Sequence, residues 1–415
     1  MKATSVIAAV AVATVLASLG ACSDGGSSDR HGRHDRPGRG QQGAPDDQPG
    51  KRRSEPIGDG STADTGPQPN QPTVKRLVPG ERPPQFVVFS WDGAGEDGNH
   101  LFSHFRELGK RHRASMTYFL SGVYLLPDSA RHRYDPPRHP RGSSDIGFTS
   151  EENLVATVEQ LRLAWLEGNE IGTHFNGHFC GPNDGVGTWT PAEWKSEINQ
   201  AKSFVTTWRT TTGRDDIDPL PFDYEKELVG GRAPCLEGQQ NLIAAAKEMG
   251  FRYDASSPGG LQVWPKKIDG IWDFPLQQVP FPGRKFETLS MDYNFLANQS
   301  GSVQGDPAMH DTWHQQTRDG LLAGFERVYE GNRAPLFIGN HFEQWNGGIY
   351  MRAVEEVIKT VCTKEEVRCV SFRQLADWLD AQDPEVLERL RTLEVGQQPE
   401  WSTFLGAAAS DVTQG

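Results

Sequence analysis

Phe86 to Phe89 is an unbroken run of aromatic and β-branched residues. A strand of that composition is stable only when both of its faces are covered. Strands covered in this way belong to parallel sheets, and parallel neighbours need a crossover helix between them. The rest of the chain supplies that alternation. "SMTYFLSG" (Ser115 to Gly122) reads as a second strand. Thr149 with Glu152 forms a capping box, followed by Leu154, Val158, Leu161 and Trp165 at helical spacing. "GNEIGTH" stops that helix and starts another strand. Thr190, Pro191 and Glu193 then open a helix with Trp194, Ile198, Ala201 and Val205 on one face. A helix over "QQNLIAAAKEMG" ends at Gly250, "APLFIGNHF" is a late strand, and a helix runs through "MRAVEEVIKTV". "VRCVSF" and "RQLADWL" give the last strand and helix. Repeated strand–helix units favour an α/β fold closed into a barrel over an open sheet.

The folded part is expected over residues 85–385, with a tail over 386–415 that begins as a short helix. Residues 23–84 are rich in Gly, Pro, Ser, Asp and Arg and poor in large apolar side chains. Such a stretch buries too little apolar surface to offset chain entropy, so a disordered tether is expected. Before it, Lys2 and the apolar run Val6 to Leu19 form a signal segment over residues 1–22. It ends in "LGAC", which resembles the bacterial lipoprotein box. That resemblance implies a lipidated Cys22 and an extracytoplasmic domain anchored to the cell membrane. The formal net charge of −13 disfavours a nucleic-acid partner. Four further cysteines remain, an even number that favours disulfides in an exported protein. Cys362 and Cys369 are close enough to pair, which leaves Cys180 for Cys235.

Parallel α/β folds collect their chemistry at the carboxyl ends of strands. Four strand ends here carry polar residues that packing does not require: Asp92, His174 with His178, Arg232, and His341. Two histidines four apart would aim both imidazoles at one divalent metal ion if they sat on a helical turn. Surface or core histidines show the same spacing.

Five segments, in order, resemble the motifs of the polysaccharide deacetylase (NodB-homology) family. "FSWDG" resembles its Thr-Phe-Asp-Asp-Gly motif, and "GNEIGTHFNGH" its Gly-His-Glu-Ile-Gly-x-His-x-x-x-His motif. "GRAPCLEGQQNLIAAAKEMGFRYDAS" resembles the Arg-x-Pro motif with its following helix. "SMDYNF" stands where an Asp-aromatic motif belongs, and "FIGNHF" supplies the late histidine. The resemblance implies a distorted (β/α) barrel that removes N-acetyl groups from amino sugars with a divalent metal ion, zinc foremost. Its substrate would be a polysaccharide such as peptidoglycan or another cell-envelope glycan. His174 and His178 would be metal ligands, and Asp92 the general base. Arg232 would hold Asp92 ionised, His341 would be the general acid, and Asp292 its partner. Read without the motifs, Arg232 equally suits a loop brace and Asp292 a turn cap.

One residue departs from the pattern. The resembling motif carries a second, metal-binding aspartate where this chain has Gly93. Three readings follow: Glu96 or Asp97 replaces that ligand, the metal is held weakly with extra waters, or the domain only binds its glycan. A glycoside hydrolase using Asp92 and Glu343 is a further alternative. Trp189, Trp264, Trp272, Trp313 and Trp345 lie in loop-like or strand-end segments and could stack on sugar rings, although core packing is the commoner fate of tryptophan.

Overall fold

The computed structural model describes residues 54–406. Two short strands, β1 (Glu55–Ile57) and β2 (Thr62–Asp64), pair antiparallel. The main sheet then begins with β3 (Gln85–Asp92), all eight residues of which are buried. It continues through β4 (Thr117–Leu120), β5 (Glu170–Thr173), β6 (Gly230–Gly231) and β7 (Tyr253–Asp254), all parallel. A hairpin of β8 (Lys266–Ile268) and β9 (Ile271–Asp273) follows, with β9 parallel to β7. The hairpin β10 (Gln278–Pro280) and β11 (Glu287–Leu289) stands apart. On the other flank of β3, β12 (Leu336–His341) pairs parallel, and β13 (Val367–Cys369) pairs with the first half of β3.

Helices clothe this sheet: α1 (Leu101–His112), α2 (Glu151–Leu166), α3 (Pro191–Thr206), α4 (Trp208–Thr212), α5 (Tyr224–Glu227) and α6 (Gln239–Glu248) in its first half. The second half adds α7 (Asp292–Ser300), α8 (His310–Glu330), α9 (Trp345–Val361), α10 (Phe372–Ala381), α11 (Pro384–Arg391) and α12 (Trp401–Phe404). The result is a curled, half-barrel parallel sheet of the distorted (β/α) barrel type. Between β9 and β12 the gap is spanned by Gln277, whose side chain bonds Pro335 O at 2.9 Å and Phe337 N at 3.0 Å. Inside the curl, Phe372 lies 5.3 to 5.8 Å from the rings of Phe119, Tyr253, Phe274 and Phe337, a plug of aromatic rings beneath the strand ends.

Several expectations need correction. Residues 54–84 are not a free tether. Thr62 bridges Leu220, with Ala63 N–H donating to Leu220 O at 2.8 Å. Gln68 donates to Trp165 O and Asn169 O, and Leu77 N–H donates to Gln382 Oε1. Composition misled because the segment is held by hydrogen bonds to the domain, not by apolar burial of its own. The proposed lead-in over 1–22, Cys22 included, and residues 23–53 lie outside the described residues. The tail likewise packs: Leu387, Leu390, Leu393, Trp401 and Leu405 are buried. The α2 cap is Ser150, accepting from Asn153 N–H, one residue later than expected. The α3 helix opens at Thr190, Pro191 and Glu193 as read, and Thr190 and Glu193 also close a capping box there. Among the described residues no helix is long and apolar enough to cross a membrane.

Candidate functional site

The pairing of β12 with β3 sets His341 directly beside Asp92 in register. In a parallel pair, neighbours in register point to the same face, so a carboxylate and an imidazole emerge together at the sheet's carboxyl end. Asp92 is 5% exposed. Arg232, fully buried just past β6, donates from Nη1 to Asp92 Oδ1 and to Ser90 Oγ, both at 2.8 Å, and from Nε to Ala255 O. Its guanidinium lies 5.0 Å from the Phe119 ring. Gly339 leaves room for it, since a Cβ there would stand 3.2 Å from Nη1. Burial, the largest single influence, pushes the Asp92 carboxyl up, but the charge and hydrogen bond of Arg232 together with the neighbouring histidines outweigh it and hold the group below the usual range.

His341 has the opposite assignment. Asp292, the first residue of α7, accepts from His341 Nδ1 at 2.8 Å and from its backbone N–H at 2.7 Å. Burial works against the imidazolium, yet the adjacent carboxylate raises His341 to about 9. At neutral pH the site therefore holds an ionised carboxylate beside a protonated imidazole.

His174 directly follows β5. Its Nδ1 donates to Arg232 O at 2.8 Å, which leaves Nε2 as a free lone pair. Burial drives it down to about 3, against the pull of Asp92, so it is a neutral imidazole. His178 is also lowered, by burial and then by the His341 charge. The two rings lie 5.1 Å apart. The spacing of four does not come from a helical turn, because Phe175 and His178 have φ near 60° and the segment is a loop. That loop is clamped from outside. Gly177 N–H donates to Tyr134 Oη, which donates in turn to the buried Glu197 carboxyl, and Asn176 Nδ2 bonds Glu197 O. Gly177 O accepts from Asp145 N–H. The Cys180–Cys235 disulfide ties the loop to the arginine segment, and Cys362–Cys369 is the second bridge, as the spacing suggested.

Two neutral imidazoles, that of His174 fixed by its bond to Arg232 O, suit a divalent ion as two of its ligands. A third protein ligand is not at hand. Among the described residues, the three-membered set with mutually close ligand atoms is His178, Cys180 and Cys235, and its sulfurs are joined to each other. Glu96 turns instead to α1, accepting from Ser103 N–H at 2.8 Å, and Asp97 caps its own turn at Asn99 N–H. Neither replaces the side chain that Gly93 lacks.

Of the tryptophans, Trp189, Trp264, Trp272 and Trp313 are core residues, at most 8% exposed. Trp345 alone of the five is half-buried, its ring 5.3 Å from His341 and 5.7 Å from Tyr293. Residues that sequence reasoning missed include Tyr134 and Glu197. A glutamate one position before Ile198 and three after Trp194, inside the apolar stripe of α3, was the available signal.

No family model matches the chain, and no curated protein does. Among solved structures it is similar to a protein from Mycobacterium smegmatis described as a polysaccharide deacetylase, at 16% identity over 74% of this chain and 96% of that one, with a TM-score of 0.44. It is similar to the peptidoglycan deacetylase PdaC from Bacillus subtilis, at 13% identity over 74% and 96%, TM-score 0.36. A CE4 family pseudoenzyme from Bacillus anthracis follows at 11% identity over 74% and 70%, TM-score 0.38.

Proposed function

We propose that the site hydrolyses the N-acetyl group of an amino sugar in a cell-envelope or extracellular polysaccharide. One observation carries this reading: Asp92 and His341 stand side by side on adjacent strands, Asp92 bonded to Arg232 and His341 to Asp292, partners that favour an ionised carboxylate and a protonated imidazole. That is the pair an amide hydrolysis needs. Asp92 accepts a proton from water as the water oxygen bonds to the acetyl carbon. His341 gives its proton to the amide nitrogen as the C–N bond breaks, leaving acetate and a free amine. The proton on Asp92 then returns the pair to its starting state through solvent. His174 and His178 would hold a divalent cation, zinc foremost, which when bound supplies a Lewis acid for the carbonyl oxygen. Trp345 beside His341 is positioned to cover one face of a sugar ring.

Acetate release from chito-oligosaccharides and from peptidoglycan tests the reading, with product mass spectrometry as the second measurement. Loss of acetyl mass at constant chain length supports it, and chain shortening would favour a glycosidase built on Asp92 and Glu343. A second reading, glycan binding without turnover, is favoured by Gly93. Tight binding with no acetate would establish it. Lipid attachment at Cys22 would place the domain beside an envelope glycan, and labelling with a radioactive fatty acid checks that proposal.

A further inference from the structure

The position after Asp92 is a glycine, with φ of 68°, and what lies against it is specific. A Cβ built on Gly93 would meet the Tyr124 ring at 3.6 Å, the Tyr124 hydroxyl at 3.7 Å and Ser121 Oγ at 3.7 Å. A Cβ on Gly95 would run into the same ring at 2.8 Å. Gly95 thus has no room for a Cβ beside the Tyr124 ring, which comes from the segment after β4, while Gly93 meets the same ring at ordinary contact distance and has the left-handed backbone that favours glycine. A side chain at residue 93 would start in ordinary contact with the phenol hydroxyl and with Ser121 Oγ. The hydroxyl has no hydrogen-bond partner among the described residues and is not sealed from solvent. Glu343 and Asp97 are the charged groups that act on it, both acidic. With burial acting first, they push the phenol up to about 12, so it keeps its proton as a neutral donor.

We propose that Tyr124 is a substrate-contacting hydrogen-bond donor, its hydroxyl standing beside the side-chain position of residue 93 and serving the acetyl carbonyl oxygen. This rests on the deacetylase reading above. A fixed neutral donor at that oxygen stabilises the negative charge it gains as water adds, and one such donor accounts for about 10² to 10³ in turnover. The ligand class follows from the chemistry. An uncharged amide carbonyl suits a phenol flanked by Glu343 and Asp97, whereas an anionic group in the same place would meet two carboxylates.

Tyr124→Phe is the informative variant, because it keeps the ring on Gly93 and Gly95 and removes only the donor. Full-length wild type and variant are compared on a chito-oligosaccharide by acetate release, by calorimetric affinity and by thermal melting. The expected result is an unchanged melting midpoint, kcat lower by about 10²-fold and KM within a few-fold. Turnover within twofold of wild type overturns the assignment. Absence of acetate from the wild type overturns the hydrolase reading instead, and affinity then decides the role of Tyr124. A tenfold weaker affinity in Tyr124→Phe supports the donor, while equal affinity, or no binding by wild type, overturns it.

Discussion

Burial works against the proton on His341, and Asp292 is the strongest of the carboxylates that hold it there. Asp292→Asn removes that charge while preserving an acceptor for the ring. In the wild type the general acid stays loaded until the pH rises through about 9, so acetate release should fall on that alkaline side. In the variant His341 loses its proton at lower pH, and the alkaline limb should move down toward the ordinary histidine range. A pH–rate profile of kcat/KM reads this, and an unmoved limb would show that another group sets it. Gly93 allows a second test at the same scale. Its surroundings leave ordinary contact distances for a Cβ, and among side chains aspartate tolerates the left-handed backbone better than most. Gly93→Asp should lower stability by about 1 kcal/mol yet bind zinc at least tenfold more tightly, because it brings a carboxylate to a pair of imidazoles. Equal zinc affinity in calorimetry would mean that the side chain cannot reach the pair.

At the scale of elements, the loop 174–178 owes its shape to segments remote in sequence, α3 among them, more than to its own residues. Glu197 is raised from 4.5 to about 7 by burial, against the hydrogen bond from Tyr134. A carboxyl with a raised folded pKa is protonated in both states below 4.5. Between there and 7 the unfolded chain ionises while the folded chain holds its proton, so stability falls with rising pH and levels off above 7. The total is about 3 kcal/mol. Glu197→Gln keeps an acceptor for Tyr134 and cannot ionise. Urea unfolding at pH 4.5 and 8 should therefore show a smaller difference in the variant, and an identical difference would assign the slope elsewhere. This clamp also explains what the sequence concealed. His174 and His178 have the spacing of a helical turn, but the bonds that bend the loop come from Tyr134 and Asp145, which are remote in sequence. Asp92, Arg232 and His341 were legible because a polar residue ending a buried strand has no packing reason to be there. Tyr124 was not, since a tyrosine after a strand reads as core. The strands β6 and β7, two residues each, are too short to show any period.

For the whole molecule, the alternation of strands and helices disclosed the barrel, while the limits of the domain escaped a reading based on composition. Residues 54–84 contribute little apolar surface, yet they run along the sheet's amino-terminal side. Gln68, Asn70 and Gln71 bond Trp165 O, Leu166 O and Gly168 O, just before β5 begins, and Trp208 Nε1 donates to Ser61 O. The contacts to Trp165, Leu166 and Gly168 lie at the opposite end of β5 from His174. Removing the segment leaves several buried or half-buried groups without partners, each worth about 1 kcal/mol net, offset by the chain entropy regained. A chain starting at Gln85 should thus be less stable by about 3 kcal/mol, a loss of several degrees in melting midpoint. Its cation affinity and the KM for a chito-oligosaccharide should stay within twofold of the full chain, because no bond from the strap reaches Asp92, His341 or the histidine loop. If melting is unchanged, the strap is not part of the folded unit; if instead KM shifts strongly while melting holds, the strap reaches the site by a route that these hydrogen bonds do not describe.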